Sequence, residues 1–453
     1  PAGPIISISD GSKAQNRTYQ DLLKNPTDEA NFVTLTNSEL YRVQLDGSKS
    51  LFKAADIYAG ENFSPDGNYL LVTTIRKPFS YIVPLSRFPQ LNVVYDLNGN
   101  VVKTVSEVPL TEVLPKGFMA VRKGKRALNW RADEPATLFY VEALDEGDPK
   151  KEVKERDALY LWKAPFTGKA TLLAKTTLRF SNMVWGNATT AILHEEWYDT
   201  RMLRTSLINP SKTGGASKLV HERNFQDIYS DPGGFETSKN QYGKYVLTID
   251  KNNLFLIGDG HTPKGQFPFI DALDMKTLKT KRLYQSAYTD KMEEIFDITD
   301  VKQGEVLVRI QSKNEYPNYY IRQLKKRIAP IKLTNFPNPF ESIEKVYKEV
   351  IKYKRADGVE LSGTLYLPAG YDRNAKTEKL PLLIWAYPAE YKDKNSAGQS
   401  SANPNEFTFP YYGSFVYWVT RGYAVLDDAA FPIVGEGDTE PNDNFVEQLV
   451  ANA

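Results

Sequence analysis

The chain has 453 residues, 41% hydrophobic and 25% charged, and its 57 Lys and Arg against 56 Asp and Glu leave a net charge of +1. A balance this even sets up no global field toward nucleic acid or an anionic membrane, and no apolar run approaches the roughly 18 residues of a membrane span. The absence of cysteine excludes disulfides, cysteine-ligated zinc and a thiol nucleophile together.

The first residues, Pro1-Ala-Gly-Pro4, have no basic start and no apolar core, so they are not a signal peptide, although one could precede them. From about Leu40 to Leu324 short strand-like runs alternate with turn chemistry. Phe63-Ser-Pro-Asp-Gly67 leads into Tyr69-Leu-Leu-Val-Thr-Thr-Ile75, and Asp96-Leu-Asn-Gly99 into Val101-Val102. Proline presets one turn angle and Asp-Gly or Asn-Gly supplies the positive φ of a tight hairpin. The pattern recurs at Trp130-Arg-Ala-Asp133, Trp185-Gly-Asn187, Gln241-Tyr-Gly243 and Lys302-Gln-Gly304, each ahead of an apolar run. The turns near 66, 132, 187, 243 and 304 lie about 55 to 65 residues apart, which suits enlarged four-stranded propeller blades. Aromatic usage agrees, since 27 Tyr, 22 Phe and 6 Trp favour pleated surfaces. Residues 1–335 therefore read as an all-β propeller, incomplete because a ring would need further blades ahead of Pro1.

Thr334-Asn-Phe-Pro-Asn-Pro339 is a proline-punctuated linker that cannot continue a ladder. After it, Lys348–Lys354 and Leu361–Leu367 read as an antiparallel pair around Ala356-Asp-Gly358. Leu380–Ala386 and Gly422–Leu426 read as buried strands, the first as one covered on both faces. Phe415–Val419 reads as a helix packed on the sheet. Asn442–Ala453 reads as a terminal helix with Phe445, Val446, Leu449 and Val450 on one face. Residues 340–453 are thus the N-terminal part of an α/β sheet domain.

Here the residues resemble a known family. The linker, the hairpin, Leu365-Tyr-Leu-Pro368 and Tyr387-Pro-Ala-Glu-Tyr-Lys-Asp-Lys394 are similar to the opening of the α/β-hydrolase domain in the prolyl oligopeptidase family. Lys392–Gln399, Asn403–Phe407, Pro432–Asp438 and Phe445–Ala451 resemble its glutamyl endopeptidase branch, as do Tyr19–Lys24, Asn129–Asp133 and Tyr229–Gly233 upstream. The resemblance implies a serine peptidase acting on oligopeptides or unfolded chains through a Ser-Asp-His triad, with a Gly-x-Ser-x-Gly elbow. No such elbow occurs here, and the only histidines are His194, His221 and His261. The resemblance places the triad beyond residue 453, so the chain alone is expected to be inactive, with a second chain or segment completing the hydrolase domain. The alternative is a non-catalytic propeller that binds or scaffolds other proteins and carries a degenerate hydrolase remnant.

The resemblance also implies roles for single residues. Tyr387 corresponds to the tyrosine whose hydroxyl supports the oxyanion hole. Glu195 and Glu196 resemble the pair that anchors substrate amino termini, and a solvated strand end explains them equally. A preference for glutamate before the scissile bond needs a buried or focused cation, for which Arg201, Arg204, Lys392 and Lys394 are candidates. Arg122-Lys-Gly-Lys-Arg126 reads as a solvated turn and His194 as a hydrogen-bonded core residue. Asn16-Arg-Thr, Asn62-Phe-Ser and Asn187-Ala-Thr match a glycosylation pattern too common to use. Peptides are the expected partners, with no nucleic acid, no cofactor and no metal. The expected compartment is the bacterial periplasm, with the plastid stroma as the alternative.

Overall fold

The computed structural model describes residues 19–453, except 213, 216, 327 and 374–378. Pro1–Pro4 and the Asn16 glycosylation pattern lie outside the described residues. The chain forms two compact units. The first takes the described residues up to Tyr198, with Arg204–His221 and Ser238–Val246. The second takes Asp199–Leu203, Glu222–Thr237 and Leu247–Ala453. The cut therefore differs from the 335/340 boundary read from sequence, because later sheets of the strand-rich region group with residues 340–453.

The first unit opens on helix α1 (Pro26–Thr36), started by the Asn25 side chain, which accepts from the Asp28 amide at 2.9 Å, and by Pro26 at its first turn. The first sheet is a five-stranded antiparallel meander, Asn37–Val43, Lys49–Phe63, Tyr69–Ile75, Gln90–Asp96 and Val101–Val108. Its Ser-Pro-Asp-Gly turn closes as its chemistry dictates. Gly67 sits at φ +73°, and Asp66 Oδ1 accepts from Ser64 Oγ (2.6 Å) and the Asn68 amide (3.1 Å). The second sheet is Arg126–Trp130, Thr137–Ala143, Asp157–Lys163 and Thr171–Thr176. The third is Arg179–Asn187, Thr190–Trp197, Met202–Ile208 and Lys218–Asn224. Phe139, Leu159, Trp185 and Leu193 make one buried cluster of these two sheets. A charged brace lies beside it. Arg179 pairs with Asp145 (2.7 Å) and Asp157 (2.9 Å), both carboxylates being fully buried. The expected solvated turn at 122–126 is partly wrong: Arg126 is mostly buried and ion-paired to Asp157.

Among the described residues the second unit holds three sheets of four or more strands. One is built on Asn253–Gly258, Phe269–Asp274 and Thr280–Gln285, with Gly234–Phe235 on its other edge. The next is Met292–Asp300, Glu305–Gln311, Asn318–Gln323 and Ile331–Lys332, and Ile270, Val306, Val308 and Ile310 pack between the two. Among the described residues none of these antiparallel sheets closes into a barrel. The last sheet differs in kind. Its strands β1 (Tyr347–Lys354), β2 (Glu360–Leu367), β3 (Leu382–Tyr391) and β4 (Ala424–Val434) lie in the order β1-β2-β4-β3, with β3 and β4 parallel. Parallel neighbours need a crossover connection, and residues 392–423 supply it. They include the short helix α2 (Lys394–Ala397) and a 3-10 helix at Phe415–Arg421, whose Val416 and Val419 are buried with Tyr366 and Val425.

One expectation fails here. Leu380–Ala386 is not covered on both faces. Strand β3 is an edge strand among the described residues, and Leu382, Ile384 and Trp385 are exposed. The terminal helix α3 (Phe445–Asn452) leaves Val446 and Val450 exposed. Its inner face is polar instead. Gln448 donates to the Val434 carbonyl (2.8 Å), and Asn452 accepts from the buried guanidinium of Arg355 at 2.9 Å. Arg355 needs acceptors wherever water is excluded, and α3 supplies two.

Candidate active site

Ligands of open α/β sheets gather at the carboxyl ends of the parallel strands, and here that end belongs to β3 and β4. Side chains alternate along a strand, so Tyr387, Ala389 and Tyr391 share one face of β3. A cleft of about 160 Å³ opens there, lined among others by Ser362, Tyr387, Tyr391, Gln399, Ser400 and Asp428. Tyr387 is 82% exposed, and among the described residues its hydroxyl has no hydrogen-bond partner. Burial, and then repulsion from Asp428, pushes the Tyr391 phenol above its ordinary value.

The register of β3 on β4 slips beside the cleft. Ile384 pairs with Leu426 but Ala386 pairs with Ala429, so Trp385 alone stands against Asp427 and Asp428. Asp428 takes the extra position with φ +48°. Bulges of this kind turn a strand and re-aim a side chain.

The floor of the cleft is tied to the segment around Asp227, within the same unit. Asn224 donates to Asp393 (2.9 Å) and Gln226 to the Glu390 carbonyl (2.6 Å). Gln399 donates to Asp227 (2.7 Å), and the Ser400 amide donates to the Tyr229 hydroxyl (3.1 Å). Burial works to raise Asp227, but hydrogen bonds from Gln399, Ser230 and Tyr229 outweigh it and hold the carboxyl below its ordinary range. Nothing in the local sequence announced this group. Its only signal is the run of Asn, Gln and Asp at 224–227, which is loop chemistry anywhere.

The remaining sequence candidates fall into two sets. In the second unit Arg201 is 2% exposed, at φ +57°. Lys392 is largely buried, donating to the Thr439 carbonyl (3.0 Å) beside Glu440 (3.3 Å). Desolvation and then Glu440 push Asp199 upward, while Arg201 and Lys392 oppose them, so both cations lie around Asp199. Lys394 is half-exposed, 4.0 Å from Glu436. Arg204, Glu195 and Glu196 belong to the first unit. Glu195 is no solvated strand end. It is 4% exposed and accepts from the amides of Thr177 (3.0 Å) and Leu178 (2.8 Å). Glu196, on the opposite face of the same strand, accepts from Ser181 (3.1 Å). Arg204 bonds Thr177 and lies 3.7 Å from Glu195. His194 packs half-buried with Nδ1 2.9 Å from Thr205 Oγ1.

No family model matches the chain. Two curated relatives do, both named probable chloroplastic glutamyl endopeptidases. The protein from Oryza sativa subsp. japonica is 38% identical over 469 residues, covering 100% of this chain and 50% of the relative. The one from Arabidopsis thaliana is 38% identical over 470 residues, covering 100% and 49%. The chain thus spans about half the length of the curated relatives it matches. Among solved structures, a Bacteroides ovatus protein provisionally described as a dipeptidyl aminopeptidase IV aligns over 89% of this chain and 60% of its own. The TM-score is 0.53 at 11% identity, a likeness of fold alone. Over its whole length the chain is thus similar to proteins named glutamyl endopeptidase, the group that the motifs at 387–451 resemble. Among the described residues no helix is long and apolar enough to cross a membrane.

Proposed function

We propose that this chain is the substrate-admitting and oxyanion-supporting part of a serine peptidase. The consecutive antiparallel sheets act as blades of a propeller that limits access to unfolded or short peptides. The sheet β1-β2-β4-β3 is the opening of the hydrolase domain. The nucleophile, its base and the orienting acid come from sequence outside residues 1–453, and the strand that carries the nucleophile pairs with the open edge of β3. A free parallel edge is an invitation to one more strand. The observation that carries the reading is Tyr387, an unpartnered phenol at the carboxyl end of a parallel strand, on the wall of a cleft. A donor aimed at the oxygen that becomes an alkoxide on attack is worth a few kcal/mol in the transition state.

An acidic preference is supported by the buried Arg201 and the largely buried Lys392, because a desolvated cation attracts a carboxylate far more strongly than an exposed one. The names of the relatives make the plastid stroma the favoured compartment. A fluorophosphonate probe tests the whole reading. The longer protein containing this chain should be labelled on one serine and should hydrolyse peptides, while residues 1–453 alone should do neither. Peptide hydrolysis by residues 1–453, or a longer protein that stays unlabelled, would overturn it.

A further inference from the structure

Asp428 combines three features that ordinary surface carboxylates do not share. It occupies the extra position of the β3/β4 bulge in the left-handed region, where only glycine is free of strain. Non-glycine residues held there cost stability and cluster where a side chain must be aimed. It lines the cleft with Tyr387 and is the only charged residue among the described residues that does so. Among the described residues it has no ion-pair partner, whereas its neighbour Asp427 lies on the Lys348 side of the sheet. The cleft therefore carries one uncompensated negative charge beside the group proposed to meet the scissile carbonyl. A concave wall of one sign concentrates ligands of the other.

We propose that Asp428 is a specificity-determining residue, whose carboxylate takes an ammonium or guanidinium group of the bound peptide beside Tyr387. The proposal rests on the peptidase reading and refines it. It also removes the acidic-residue preference from this cleft, since a substrate carboxylate here would meet a like charge. Any such preference is then read at Arg201 and Lys392, which do not line the cleft.

The test uses the 453-residue chain and three acetylated, amidated tripeptides, Ala-Lys-Ala, Ala-Gln-Ala and Ala-Glu-Ala, titrated by calorimetry at low salt. The lysine peptide should bind about tenfold more tightly than the glutamine peptide, the size of one partly exposed charge-assisted bond. The glutamate peptide should bind weakest. Asp428→Asn keeps the tolerance for positive φ and removes the charge, so it should erase the difference between lysine and glutamine. Asp428→Gly should do the same while melting at a higher temperature, because the strain is relieved. Peptides that bind equally, a glutamate peptide that binds best, or a lysine preference that survives in both variants would refute the role of Asp428 while leaving the cleft a peptide site. If no peptide binds at millimolar concentration, the peptide reading of the cleft fails and this proposal with it.

Discussion

Replacing Tyr387 by phenylalanine isolates one hydroxyl. The ring is 82% exposed, and the hydroxyl has no partner among the described residues, so folding loses neither buried area nor a hydrogen bond. Surface changes of this kind stay within about 0.5 kcal/mol, and the melting temperature of Tyr387→Phe should match the parent within experimental scatter. Catalysis in the longer protein should behave differently. Losing one oxyanion donor costs about 10²- to 10³-fold in turnover, or about 2.7–4 kcal/mol. The substrate carbonyl gains its charge only on attack, so the loss should fall on kcat and leave KM nearly unchanged. The assay is steady-state hydrolysis of a chromogenic peptide, with a thermal melt on the same preparation. Turnover within threefold of the parent would remove Tyr387 from the site. A large drop in melting temperature would show instead that the hydroxyl makes a structural hydrogen bond.

Two further predictions concern stability. Burial, aided by repulsion from His221, pulls His194 down to about 4, so the unfolded chain takes up a proton near 6.5 that the folded one refuses. Stability should fall between those values as acid is added, by up to about 3 kcal/mol, and His194→Gln should flatten the melting-temperature profile there. Asp357 is held at about 2, chiefly by its hydrogen bonds from Arg355. Its contribution is present above the ordinary carboxylate value and is lost as the pH falls toward 2. Screening limits it to about 1 kcal/mol because the carboxylate is 44% exposed. Asp357→Asn should lower the melting temperature at neutral pH, with a gap that narrows below pH 4.

What the sequence disclosed follows from how local the governing physics is. The Ser-Pro-Asp-Gly turn closes through atoms within five residues of one another, so its hairpin was legible at sight. The shift after the Asn-Phe-Pro-Asn-Pro linker was legible for the same reason. The burial of β3 was not, since an apolar run looks the same whether one edge or two are paired. Nor was the inward turn of Gln448 and Asn452, which depends on an arginine about 95 residues earlier that must spend its hydrogen bonds somewhere. Tyr387 was found through motif resemblance. Asp428 was missed because a bulge is a property of two strands together, and an Asp-Asp pair in an apolar run gives no hint of which one slips.

The order β1-β2-β4-β3 also has a meaning in time. As the chain leaves the ribosome, β1 and β2 can zip together at once, for only the Asp357 turn separates them. Strand β3 emerges next with its row of apolar side chains, and the place beside β2 is not its own. It must wait for about thirty more residues, until β4 arrives to lie between them. Throughout that interval Leu382, Ile384 and Trp385 are an adhesive strip on a nascent polypeptide, the kind of transient exposure that chaperones cover. The crossover at 392–423, studded with Asn, Ser and Pro, spans that wait and does not itself add a strand to the sheet.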